Sequence, residues 1–335
     1  MKRLIVLVAV MTTLLCLPLV AEGQQEGQET TVMKIGHSFA ENTSRHQSLL
    51  SFKENVEAKT NGAITVEIYP SAQLGKEMEM MEQVKMGSLE GLRCGPFEDA
   101  APELLIYTMP FLFSDMDAVH RVTRSDFTRE LVKATEKNGL KVLAVGDSGE
   151  FRQFTNNAHP ITKPEDLKGL KMRTPPMESI VKIMETLGGN PVSVPFSETY
   201  MALKTGVADG EENPYTNIDK MKFYEVQKYL SVVNYQYHAE MLYVPLEWFN
   251  NLSAENQAIL VECAEEHMIL NDELLKDESL ASYKVLEANM DVNVISDAER
   301  DVFIEAVQPV YEYYINKGTF TQADIDEIRK IGAGI

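Results

Sequence analysis

Gly146-Asp147-Ser148-Gly149 reads like the surroundings of a nucleophilic serine. Such a serine needs a positioned histidine and an orienting acid, and nothing around His37, His46 or His120 marks one. Turn chemistry is the better reading of the tetrapeptide. The chain has no GxSxG, no glycine-rich phosphate loop, no HExxH and no EF-hand loop, and its 6 scattered histidines show no metal-ligand spacing. No catalytic residue, metal or cofactor is therefore expected. The acidic clusters Glu77/Glu79/Glu82 and Glu265/Glu266 read as solvated helix faces. Glu77 is set apart, because it opens a helix just after Leu74-Gly75, where the loop faces a presumed cleft. His37 after the first strand and Arg93 near the end of the third occupy positions where open α/β sheets present ligand contacts.

The elements that place these residues follow from periodicity. Val32 to Gly36 reads as a strand; Ser44 caps a helix with Leu49, Phe52 and Val56 at helical spacing, ended by Asn61-Gly62. Ile64, Val66 and Ile68 alternate with polar residues in a half-buried strand, a helix covers Lys76 to Met86, and Leu89 to Cys94 is a third strand. The grammar resumes with strands at 140–145, 171–174 and 191–194 and helices at 177–187 and 197–204. Alternation of this kind predicts parallel sheets covered by helices. Ser253 caps a long helical pattern running to about Met290, long enough to brace two lobes, and Val302 to Tyr311 reads as one further helix.

With 335 residues and 44% hydrophobic content, the chain is long enough for two lobes with substantial cores. Its formal charge of −20 excludes a general nucleic-acid binder, since phosphate contacts need a basic face. Taken naively, the acidic excess points to a cationic partner. Lys2, Arg3, the apolar run Leu4 to Leu17 and small residues near Ala21 and Gly23 predict a cleaved export signal over residues 1–23. Lipidation at Cys16 is disfavoured by the bulky Leu15. Cys94 and Cys263 lack CxxC neighbours and are expected to be buried thiols.

Six ordered segments carry a resemblance. They are Ile68-Tyr69-Pro70 with Gln73-Leu74-Gly75, Met109 to Phe113, Pro164 to Pro175, Pro195 to Tyr200, Gly206 to Pro214 and Glu225 to Leu230. Across nearly all of the mature chain, this pattern resembles the solute-binding proteins of TRAP transporters, the tripartite ATP-independent periplasmic uptake systems. The resemblance implies an α/β, two-lobed periplasmic-binding-protein-like fold, each lobe a mainly parallel sheet flanked by helices, with the long helix spanning both. It implies lobe I at 32–149 plus about 239–279, lobe II at 150–238 plus about 280–335, and a ligand cleft between them. Arg173 of the K-x-R-x-P strand matches the arginine that forms a two-pronged salt bridge to the ligand carboxylate. Arg152 and Asn213 match residues that complete the carboxylate pocket, Phe196 the aromatic that packs on the ligand body, and Tyr235 a contact made in some members. Glu77, His37 and Arg93 fall near the other lobe's variable contact loops.

The physical chemistry agrees with that implication. An enclosed carboxylate loses water, and a guanidinium meets both oxygens with a planar fork while staying charged. The resulting expectation is a periplasmic, monomeric receptor that binds a uronate, another sugar acid or a C4-dicarboxylate and hands it to a membrane permease. Glu77 and His37 favour hydroxyls and so a sugar acid, whereas Arg93 leaves a dicarboxylate open. The rivals are a periplasmic two-domain hydrolase or lyase, and a sensor subunit presenting its ligand to a receptor kinase.

Overall fold

The computed structural model describes residues 30–335, so the expected export signal and Cys16 lie outside the described residues. Nine strands form one sheet: β1 Thr31–His37, β2 Ile64–Tyr69, β3 Gly91–Cys94, β4 Leu140–Asn156, β5 Lys171–Thr174, β6 Asn190–Ser193, β7 Gly210–Asn213, β8 Tyr229–Pro245 and β9 Asp291–Val294. Their order is β2-β1-β3-β8-β4-β7-β5-β6, with β9 beside β8. The outer wings are parallel, β2-β1-β3 on one side and β7-β5-β6 on the other. The middle is antiparallel, because β8 pairs with β3 and β4, and β4 pairs with β7.

The two lobes therefore share β4 and β8, each 17 residues long. The sequence pattern ends the first of these at Val145 and gives no sign of the second. Both strands are buried on both faces, which removes the alternation that marks a half-exposed strand. The register of β4 against β8 breaks between Asp147 and Phe151, where Gly149 and Glu150 adopt φ of 125° and 73°. A Cβ on Gly149 would sit 2.7 Å from Pro214 Cγ and from Thr216 Oγ1, so this bulge needs glycine for both conformation and space. The serine-nucleophile lookalike is thus a bend in β4.

Local signals placed the helix after β1 and the long helix, but not those at Met116–Thr123, Asp126–Leu131 and Tyr215–Lys220. Thr43, one residue before the expected cap, accepts from the His46 N–H and starts the Ser44–Lys59 helix, which buries Leu49, Phe52 and Val56 against the first wing. Fully burying each such side chain contributes about 1.5–3 kcal/mol. Ser253 caps the 36-residue Ala254–Asn289 helix. Its first half buries Leu260, Cys263 and Met268. Its second half turns a polar seam inward, and Leu274 and Leu280 are exposed. That seam bonds the bend and the second lobe: Asn271 donates to the Asp147 carbonyl, Ser279 to Glu150 and Ser282 to Asp219.

The C-terminal stretch is three helices, Asp297–Ala306, Gln308–Lys317 and Gln322–Ala333, instead of the expected one. Pro309 opens the second and left-handed Gly318 ends it. The last of them, expected with lobe II, packs on the Met116–Thr123 helix, where Arg121 donates to the Gly332 carbonyl. Cys94 and Cys263 are free and buried, as expected.

Candidate functional site

Arg173 on β5 is 1% exposed. Its Nε donates to the Val194 carbonyl at 2.9 Å, its Nη2 is buried without a partner, and it forms no ion pair among the described residues. Burial pulls its pKa down to about 10, with Glu212 opposing and Arg152 adding to the effect. An uncompensated buried cation of this kind is costly unless an anion meets it.

Arg152 on β4 stands nearby with the opposite history. It clasps Glu212 of β7 through Nε and Nη2, and Nη2 also reaches the Glu212 carbonyl at 2.6 Å. Burial alone would lower its pKa, but the Glu212 carboxylate outweighs this and holds it up. Tyr235 lies behind the pair, stacked on Phe154 at 4.6 Å with its hydroxyl donating to Glu212 Oε2 at 2.6 Å.

A narrow cavity opens in front of these groups, lined among others by Glu77, Arg152, Arg173, Phe196 and Asn213. The structure brings those five expected residues together. His37, Arg93 and Tyr235 are buried and do not line the cavity. His37 faces His46 at 3.1 Å and is kept neutral, its pKa pulled down to about 2 by burial and by His46. Arg93 holds Glu240 at 2.9 Å and bonds the Arg45 carbonyl and Ser48 Oγ. These three act from behind the wall. Glu77 keeps some solvent exposure, yet its carboxyl is enclosed enough that burial and the neighbouring Glu240 raise its pKa to about 7.

Sequence reading missed Arg45, Asn217, His238 and Glu240, which also line the cavity. Arg45 links the lobes. It rises from the Ser44–Lys59 helix, lies 3.7 Å over the Phe39 ring, and donates to the Ser148 carbonyl at 3.0 Å and to Asn217 Oδ1. Asn217 in turn donates to Asn213, and Asn213 to Glu211. His238 has both ring nitrogens buried without a partner, and burial together with Arg152, Arg173 and Arg45 keeps it neutral. Gly95 makes room for it, since a Cβ there would lie 2.3 Å from His238 Nε2. No local motif announces these four: Arg45 and Glu240 meet across 195 residues of chain.

The cleft is closed by contacts between lobes: Phe39 against Phe196 at 5.9 Å, Lys76 paired with Glu198 at the rim, and Arg45 on Asn217. A roomier cavity of about 390 Å³, against about 40 Å³ here, lies between the long helix and the first half of β4. Its apolar walls, Val142, Leu143, Val145, Val261 and Met268, are rimmed by exposed side chains of both signs, among them Arg129, Lys133 and Glu265, whereas the smaller cavity holds a buried guanidinium with an unpartnered nitrogen, so chemistry favours the smaller one.

The chain matches, over residues 35–317, the family described as DctP, bacterial extracellular solute-binding protein, family 7. It is 32% identical to the C4-dicarboxylate-binding periplasmic protein DctP of Rhodobacter capsulatus over 294 residues, covering 85% of this chain and 86% of that protein. It is 28% identical to the 2,3-diketo-L-gulonate-binding periplasmic protein YiaO of Escherichia coli, covering 89% and 92%. Among solved structures it is similar to a TRAP periplasmic solute-binding protein from Roseobacter denitrificans with bound β-D-glucuronate. The TM-score there is 0.85 at 28% identity, covering 89% of this chain and 98% of the other. A two-lobed α/β receptor with a buried, unpaired arginine in its cleft thus belongs to bacterial extracellular solute-binding protein family 7, as a TRAP-type solute-binding protein.

Proposed function

We propose that this receptor captures a sugar acid, a uronate or a related hydroxylated monocarboxylate, by closing its lobes and delivering it to the membrane subunits of a TRAP transporter. One observation carries the reading: Arg173 offers a buried, unpaired guanidinium edge to the cleft, the complement of one carboxylate. A second ligand carboxylate would meet Glu77 and Glu240, while Arg152 is committed to Glu212, and Arg45 and Arg93 share Glu240. The remaining lining groups, Asn217, neutral His238 and Glu77, whose pKa is raised to about 7, suit hydroxyls. Arg173, Arg152, Asn213, Phe196 and Glu77 are the contacts in this reading, and His37, Arg93 and Tyr235 support them from behind.

Closure turns on the Ser148–Glu150 bulge and on His238 opposite it. Residues 32–149 with about 239–279 then move against 150–238 with about 280–335, the Gln322–Ala333 helix following the Met116–Thr123 helix it packs on. The mature protein, freed of residues 1–23, works outside the cytoplasm as a monomer without cofactor or chemistry of its own.

A thermal-shift panel of uronates, aldonates and C4-dicarboxylates tests this, since a ligand that binds only the folded state raises its melting temperature. Uronates or aldonates should give the largest shifts. Larger shifts from succinate or malate would overturn the sugar-acid assignment, and no shift from any organic acid would overturn carboxylate capture.

A further inference from the structure

Outside the cleft, three side chains with metal-ligand chemistry converge where the lobes meet. Asp147 comes from the last paired position of β4 before the bulge, Asp272 from the middle of the long helix, and His120 from the Met116–Thr123 helix. One donor atom from each lies within 4.8 Å of the others. We propose that Asp147, Asp272 and His120 form a binding site for a small divalent transition-metal cation, of the zinc class, on the hinge.

The polar accounting points to a ligand. Asp272 is 6% exposed, and its Oδ1 is buried with no partner. His120 Nε2 is also unpartnered, lying 3.5 Å from Asp272 Oδ2, too far for a sound hydrogen bond. Asn271, beside Asp272, donates to the Asp147 carbonyl and leaves its own Oδ1 buried and unpaired. Asp147 accepts the Gly149 and Glu150 N–H groups on Oδ1 alone. Two buried carboxylates facing an imidazole, with unused lone pairs on several atoms, form a site short of positive charge.

The compensation present is at the rim. Arg124 donates to Asp272 Oδ2 but is 44% exposed, so it can withdraw into solvent when a cation takes its place. Arg124 also lines the cavity of about 390 Å³ between the long helix and β4, so it has open space beside it to move into.

The donor set selects the metal. One imidazole and two carboxylates with an open fourth position suit zinc and its neighbours; calcium prefers six or more oxygens. Bonds of about 2.0–2.2 Å place tetrahedral donors about 3.3–3.6 Å apart. His120 Nε2 and Asp272 Oδ2 already stand at 3.5 Å, and no pair has to close from more than 4.8 Å, a side-chain adjustment of at most about 1.5 Å. A bound cation would tie the long helix, the Met116–Thr123 helix and the start of the bend together.

The test uses the full mature chain, stripped of metal by chelation, titrated with Co²⁺ followed by visible absorption and with Zn²⁺ by calorimetry. One equivalent should bind at micromolar affinity or tighter. Asp272→Asn and His120→Gln should each weaken binding at least tenfold, while His159→Gln, at an exposed histidine, leaves it unchanged. Far-ultraviolet circular dichroism and organic-acid binding keep a misfolded variant from counting as support. If a ligand variant misfolds, the other two, including Asp147→Asn, decide. Absence of saturable binding, or binding unaffected by these variants, overturns the proposal.

Discussion

Arg152 and Arg173 sit in one buried cluster with unequal company: Glu212 clasps Arg152 through two nitrogens, while Arg173 has only the Val194 carbonyl. The same residue type on β4 and on β5, with β7 between them, therefore has two kinds of surroundings. Arg152 with Glu212 is a closed ion pair in the wall, whereas Arg173 keeps a nitrogen without a partner. The formal charge of −20 does not prevent this, because salt confines the reach of surface charges to about 8 Å.

Replacing Arg173 with alanine should weaken binding of the cognate organic acid by about 2–5 kcal/mol in calorimetry, the usual cost of unpairing a buried charge. Arg173→Lys should fail to restore it, since an ammonium lacks the fork. The ligand-free protein should melt no lower, because the variant loses an uncompensated charge. Unchanged affinity would remove Arg173 from the site.

Glu212→Gln should be far more damaging to the fold than to recognition. It strands Arg152 as a second buried, unpaired cation and is expected to cost about 3–5 kcal/mol by denaturant titration. Tyr235→Phe removes only the hydroxyl bond to the same carboxylate and should cost about 1 kcal/mol. Equal effects from the two variants would contradict this ranking.

Gly149→Ala places a Cβ on a residue at φ 125°, against Pro214 and Thr216. A loss of about 1–3 kcal/mol is expected from the backbone conformation alone. Solution scattering should also show less compaction on adding ligand than in the wild type. A variant with unaltered stability and compaction would mean that the bend relaxes freely.

Glu211 is fully buried, and burial, reinforced by Glu212, raises its pKa from 4.5 to about 7. The folded state thus keeps a proton that the unfolded chain releases near 4.5, so this group lowers stability as pH rises from about 4.5 through about 7, and no further above that. Glu211→Gln should therefore gain stability relative to wild type on going from pH 5 to pH 8, by about 3 kcal/mol. Comparing the two pH values cancels any constant penalty from facing an amide to Asn213. A pH-independent difference would show that Glu211 titrates normally.

What the residues announced and what they concealed divide along physical lines. Caps, glycine stops and amphipathic stripes are local, so the Ser253 cap, the Asn61-Gly62 stop and the first two strands were legible. β8 was hidden because it is buried on both faces yet carries Gln236, His238 and Glu240 inside, so it reads neither as a continuous apolar run nor as a strand with a solvated side. Arg173 was legible through its motif. Arg45 was not: it reads as a solvated first-turn residue until the fold lays it over Phe39 and beside Glu240. His37 and Arg93 were placed at the right strand ends, but their side chains are used to hold other walls in position.

The two long central strands also determine how the molecule comes apart. Each wing is completed only by the half of β4 and β8 that continues into the other, so neither wing has a free-standing sheet to retreat to. Heat or denaturant should therefore melt the protein in one cooperative transition, with coincident calorimetric and spectroscopic curves, despite its two lobes. Severing the chain at the bend should yield two fragments that do not fold separately.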